Sequence, residues 1–390
     1  MVMFYNIAQP SNIKSVYSQF DQLDFTIKPS RGRAIKANSF RLVGNLLVSK
    51  TTTASPTIPV PVVPDDMVFM NPFIGAHGVV KNISSVANDR ILENISFYPR
   101  FVGMKTQAEC SLEDLTSSSE HAVELKGLQT NVLLGASSDI RVSGGVYSGG
   151  IPFSFKPVCA LNRSNTDLGQ SKFQQMKLLM TLGSAVESFY CSKPKPASTD
   201  PDYITSLTFG ISNIQLSWIE VLEVPIPRTV FRTCYLTTQT VVSLNSNLYV
   251  TSPTVYDAVS CSFIQQKDRN LIYRDDNMCE YIRSIQRVEF TVDGLDNPLV
   301  YAIGASDSPP YQDLALNYAN SLDAAEKNCL MNKLLSETVS FGIGCAFRAA
   351  QNSKLAITLQ IADTVPDNAN PSAAGNAYDC FLYCHGYLEV

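Results

Sequence analysis

"LAITLQI", residues 355–361, alternates without a break. Leu355, Ile357, Leu359 and Ile361 fall on one face of an extended chain and Ala356, Thr358 and Gln360 on the other, the period of a strand with one buried side. The pattern recurs along the chain. Phe40, Leu42, Leu46 and Val48 share a face, with Gly44 on that face at a bulge or a close approach. Ile214, Leu216 and Trp218 alternate with Asn213, Gln215 and Ser217, and Val288, Phe290 and Val292 oppose Arg287, Glu289 and Thr291. The charge-free run 233–256, rich in Thr, Ser and Asn, also reads as strands. Short strands separated by Pro, Gly, Ser and Asn loops predict an all-β sandwich or jelly roll. Two segments depart from this. Residues 311–335 set Leu314, Tyr318, Leu322, Ala325, Cys329 and Leu330 at helical spacing, and 89–107 form a weaker helical candidate interrupted by Pro99.

A chain of 390 residues suits two domains. One strand pattern ends Trp218-Ile219-Glu220-Val221 and the sequence ends Tyr387-Leu388-Glu389-Val390. This echo, 169 residues apart, predicts two similar β-domains in tandem. Charged residues are 17% of the chain, below the roughly 25% of typical soluble proteins, which fits a protein that buries surface against other copies. A net charge of −5 gives no bulk reason for nucleic-acid binding. Residues 1–38 stand apart as an N-terminal arm. Lys14, Lys28, Arg31, Arg33 and Lys36 outweigh Asp21 and Asp24 there, for a net charge of +3. The aperiodic loops 50–66, 191–202 and 363–379 are expected to carry function or cover a surface. The N-terminus lacks a basic region followed by an apolar run, and no apolar run reaches 18 residues, so neither secretion nor a membrane span is expected.

The residue types that carry chemistry do not converge in the sequence. Ten cysteines are scattered, and they read as reduced and buried. Cys380 and Cys384 share a strand face about 13 Å apart, too far for a mutual disulfide, and His385 points the other way, against a joint metal site. His77, His121 and His385 are isolated, and no G-x-S-x-G elbow or phosphate loop is present. The acidic pairs Asp65-Asp66, Glu113-Asp114 and Asp275-Asp276 read as solvated loop acids, because neighbours on a strand face opposite ways. "NPFIGAHGVVKNI" (71–83) concentrates Gly75, His77 and Gly78 in an architectural turn, with His77 expected to bond a neighbouring backbone group. Catalytic, cofactor-binding and metal residues are therefore not expected.

"NSFRLVGNLLV" (38–48), the Gly-Ala-His segment at 71–83, "ILENISFYPRFVGM" (91–104), "IPFSFKPVCALNRSN" (151–165) and "FGISNIQLSWIEV" (209–221) follow one another in a familiar order. So do "TVVSLNSNLYVTSP", "YIRSIQRVEFTVDGLDNPLVYAI" and "FGIGCAF" in the second half. The chain resembles the double jelly-roll major capsid proteins of icosahedral double-stranded DNA viruses, nearest the polinton-like virus, virophage and adomavirus branch. The resemblance implies an arm over 1–38, an eight-stranded jelly roll over 39–223 and a second over 224–390, with a few short helices, the main one near 313–335. It implies a structural, non-enzymatic protein without cofactor or small-molecule substrate. Pseudo-hexagonal homotrimers would pack against neighbouring capsomers, penton and minor capsid proteins in a virion assembled in a reducing host compartment. Lys14, Lys28, Arg31, Arg33 and Lys36 would contact an internal membrane or the genome. The alternative is a glycan- or receptor-binding β-sandwich, which would present an exposed aromatic platform. Trp218, alternating with Ile214 and Leu216, suits a core better.

Overall fold

The alternating stretch 355–361 lies in a strand whose Leu355, Ile357, Leu359 and Ile361 are buried while Lys354 and Gln360 face solvent. The computed structural model describes residues 2–109, 150–192, 194–226, 228–251, 254–277, 285–302, 343–363, 365 and 367–390. The expected helix near 313–335, the pair Glu113-Asp114 and His121 lie outside the described residues.

In chain order the strands of the first half are β1 (Phe4–Ala8), β2 (Val16–Ser18), β3 (Gln22–Ile27), β4 (Arg33–Ile35), β5 (Arg41–Thr52), β6 (Val60–Pro61), β7 (Val68–Phe69), β8 (Val80–Ala87), β9 (Arg90–Ile95), β10 (Ile151–Phe155), β11 (Leu168–Gly169), β12 (Met176–Leu182), β13 (Tyr190–Cys191) and β14 (Ile204–Leu222). Those of the second half are β15 (Val230–Val241), β16 (Asn245–Thr251), β17 (Tyr256–Gln265), β18 (Ile285–Val292), β19 (Leu295–Ala302), β20 (Ile343–Ala349), β21 (Lys354–Ile361) and β22 (Tyr378–Glu389).

In the second half, the order β15-β22-β17-β20 lies against the order β16-β21-β18-β19. Val259, Cys261, Phe263, Cys380 and Leu382 of one sheet share a core with Leu248, Val288, Phe290, Leu355, Ile357 and Leu359 of the other. Among the described residues these eight strands form a jelly roll. Its first strand pairs antiparallel with its last along the whole length, from Val230↔Glu389 to Val241↔Tyr378.

The first half repeats that signature. Its first strands β1 and β2 pair antiparallel with its closing strand β14, from Phe4↔Glu220 to Ser18↔Gly210, and the long strand β5 pairs with the other edge of β14, from Ile204↔Thr52 to Ser217↔Arg41. Leu42, Leu46 and Val48 are buried as the alternation predicts, and a Cβ at Gly44 would meet Phe153 and Ile211 at 3.2 Å, so the glycine marks a close approach. The opposing layer has the order β9-β8-β12-β3.

Residues 1–38 do not form a separate arm. β3 pairs antiparallel with β12, the place that β16 takes beside β21 in the second half. β1 and β2 pair antiparallel with β14 on the edge opposite β5, the place that β15 takes beside β22, while β5 with β10 on its far edge takes the place of β17 with β20. Leu23, Phe25, Ile27 and Ile35 are buried in the first core, and that burial is the physical reason the segment cannot hang free.

The helical candidate over 89–107 is also corrected. Residues 90–95 are strand β9, and the helix α1 (Tyr98–Glu109) begins after it. Pro99 does not interrupt this helix. It sits in the first turn, where its missing N–H has no intrahelical acceptor to lose.

Candidate functional site

The densest set of buried polar and aromatic groups lies where the two halves meet. β9 of the first half bridges β15 of the second in parallel at Asn94↔Tyr235, so β3, β12, β8 and β9 continue into β15, β22, β17 and β20 as one sheet. Glu93 is buried beside this bridge. Its carboxylate accepts from the backbone N–H of Ala160, from the Arg163 guanidinium at 2.7 Å and from the Cys234 N–H at 3.1 Å. One carboxylate thus ties a loop of the first half to a strand of the second. Burial pushes its pKa up, against the pull of Arg163 and the two backbone donors.

Helix α1 covers the face of β22 that the second core does not use. Cys380, Leu382 and Cys384 point into that core, while Phe381, Tyr383 and His385 meet α1. Arg100 is only 1% exposed; it lies 4.4 Å over the Phe381 ring and donates to the Asp276 carbonyl. Phe101 packs against Tyr383 and His385 with ring centroids 5.7 and 5.9 Å away. The Tyr383 hydroxyl donates to the Phe97 carbonyl at 3.1 Å. His385 shares a 2.7 Å hydrogen bond with Ser260, and burial, then Lys105, Arg163 and Arg232, hold its pKa well below the usual histidine range.

The segment following β17 docks on the first half. Asn71 donates to Asp275 at 2.6 Å, Asn277 donates to the Glu187 carbonyl, and the Ile204 N–H donates to the Tyr273 hydroxyl at 2.9 Å. Burial raises the Asp275 pKa to about 6. Asp275 and Asp276 are therefore not solvated loop acids. Neither is Asp66, which is buried and paired with Lys50, whereas Asp65 is exposed as expected. Spacing could not find these residues, because the side chains that fix them, Asn71 for Asp275 and Lys50 for Asp66, come from other segments of the chain.

The "GAHG" stretch supports the same junction from below. It is a buried 3-10 turn, Gly75–Val79, and Gly75 needs its positive φ of 54°. Gly78 has ordinary backbone, and the Ser188 hydroxyl donates to its carbonyl at 2.7 Å. His77 reaches a side chain of helix α1. Its Nδ1 meets the Tyr98 hydroxyl at 2.7 Å, and its ring lies 4.2 Å from that of Phe155. The Tyr98 hydroxyl also accepts the Val158 N–H at 2.9 Å, so its own proton is available to His77.

The five basic residues of the N-terminal segment do not gather into one patch. Lys14 pairs with Asp21 at 2.7 Å. Arg33 stacks 3.5 Å over Phe4 and faces the buried Glu220 at 3.6 Å. Lys36 is half-buried, and Lys28 and Arg31 are exposed. The thiols of Cys159, Cys191, Cys234, Cys261, Cys380 and Cys384 are free and buried. Trp218 is 6% exposed against Phe40, so it offers no platform to a glycan. The junction as a whole can hold two rolls together; among the described residues no three His, Cys, Asp or Glu gather to hold a metal.

No family model matches the chain, and no curated protein matches it in sequence. Solved structures do match. A chain of the Sputnik virophage, solved by cryo-EM, is similar with a TM-score of 0.59 and 12% identity, over 100% of this chain and 86% of that one. The Faustovirus major capsid protein gives 0.57 and 8%, over 100% and 90%. The mavirus major capsid protein gives 0.51 and 10%, over 99% and 90%. The two tandem rolls and these whole-chain matches together give this chain the double jelly-roll fold of viral major capsid proteins.

Proposed function

We propose that the chain is the major shell protein of an icosahedral virion and performs no chemistry. The supporting observation is the pairing of the first strands with the last in both halves, β1 and β2 with β14 and β15 with β22, joined through one continuous sheet and matched end to end by viral capsid proteins. Two rolls per chain make a trimer of six similar units, a hexagonal tile that closed symmetry limits to three chains. The rolls divide at residues 223–224, the first including β1–β4. The partners are copies of the same chain, neighbouring capsomers, and penton and minor capsid proteins. Lys28 and Arg31 are the basic residues left to face an inner layer, membrane or genome. Assembly takes place in a reducing compartment of the host, in keeping with the six free thiols among the described residues.

Light scattering on the purified full chain tests this reading. A stable species at three times the 42.8 kDa chain mass, forming hexagonally packed tiles or shells in electron micrographs, is expected. A strict monomer at every concentration and salt removes it.

A further inference from the structure

The two rolls differ at one edge. In the second half the first strand β15 lies beside the closing strand, and β9 of the first half covers its far edge at Asn94↔Tyr235. In the first half β1 and β2 lie beside the closing strand, and among the described residues no strand pairs with their far edge. Natural edge strands are blunted by charge, proline or a bulge. β1, FYNIA, has none of these, and the first charged side chain of the sequence is Lys14.

The side chains beside that edge are also unusual. Residues paired across strands share a face, so Tyr5, Ile7 and Val16 lie on the outward face of the sheet with Ile219, Ser217 and Ser212. They are 80%, 66% and 52% exposed. Across β14 the same face continues onto β5 through Val43, Asn45 and Leu47. Arg41 is the one charged side chain on the outward rows of β1, β2, β14, β5 and β10, and it donates to Ser154 at 2.7 Å.

We propose that the β1–β2 edge and this outward face are covered by a second copy of this chain. Three observations select that occupant. A nucleic acid or an anionic lipid surface needs a field of Lys and Arg, and the face carries a single cation. A face of apolar and neutral polar side chains is the composition of an interface core between protein subunits. Finally, residues 1–38 carry +3 and the remaining chain −8, the −5 total less +3. The segment is therefore attracted to a different part of its partner rather than to its own equivalent. Such a head-to-side contact closes into rings, and the ring of three rests on the shell reading above.

The test is a pair of double variants of the full chain, Tyr5→Lys with Ile7→Lys, and Tyr5→Thr with Ile7→Thr, which keeps strand propensity. Mass is read by light scattering and Tm by calorimetry. The expected result is that the lysine pair falls to the 42.8 kDa monomer with Tm kept at that of monomeric wild type, and that the threonine pair dissociates at a tenfold or more higher concentration than wild type. Wild-type mass in both variants overturns the inference. So does a monomer whose Tm drops, since the side chains would then be covered within their own chain. A wild-type monomer that instead sediments with phosphatidylserine vesicles overturns it as well. Association through this edge without tiles or shells in micrographs leaves the inference standing and removes the shell reading alone.

Discussion

Asp275 and Asp276 are adjacent, yet their environments give them separate tasks. Asp275 accepts from Asn71 and from the Asn277 N–H, and its pKa is raised to about 6 by burial. The unfolded value is near 3.8. Between these two values the folded chain holds a proton that the unfolded chain has released, so this carboxyl favours the fold increasingly as pH falls through 6 and fully below 4. Above pH 6 its charge weighs against the fold. The Tm of Asp275→Asn minus that of wild type is therefore expected to be more positive at pH 7.5 than at pH 5; an equal difference at both, measured by scanning calorimetry, refutes the assignment. Little of this is legible in the sequence. His77 stands out as one of three histidines, but its partner Tyr98 comes from the next helix. Glu93 sits in the middle of an ordinary strand pattern, and only folding brings Arg163 and Cys234 to it. Buried polar groups are satisfied by whatever the topology delivers, which residue spacing does not encode.

At the scale of elements, alternation identifies β5, β14, β18 and β21, because each is half-buried and pairs on a single core. The misreadings come where charge or proline masks the pattern. In β3 the sequence QLDFTI alternates too, with Leu23, Phe25 and Ile27 buried, but Asp24 and the surrounding basic residues give it the look of an arm. Burying these three side chains stabilises the first roll by about 5–9 kcal/mol, comparable to the whole stability of a typical domain. Removal of residues 2–27 is therefore expected to abolish cooperative unfolding of the first roll, seen as a large drop in the calorimetric enthalpy of the whole-chain transition. A truncated chain with unchanged Tm would show that the segment is an arm after all. Pro99 misleads in the opposite way: a proline within an apolar run reads as a break, yet in the first turn it starts the helix.

Across the whole molecule, the parallel bridge at Asn94↔Tyr235 and the packing of α1 on β22 make the halves share their interior. Wild type is expected to unfold in one calorimetric transition. Arg100→Ala with Phe101→Ala removes the cation over Phe381 and the ring against Tyr383, and should split that transition in two; a single peak in the double variant would mean the junction is not what couples the rolls. Tandem duplication is legible in the closing echo at 218–221 and 387–390, which ends β14 and β22, the equivalent closing strands. The shared sheet is not, since a contact between halves leaves no period in either. The pairing of β1 with β14 also bears on how the chain is made. Phe4 leaves the ribosome long before its partner Glu220, and Leu23 long before Met180. The apolar strands of the amino-terminal segment must wait, unpaired, while most of the first roll is still being synthesised. Such distant closures are slow and leave strand edges open to other nascent chains. Crowded polysomes would be the place where this protein is most prone to aggregate, and chaperones that bind short apolar segments would act on residues 2–27 first.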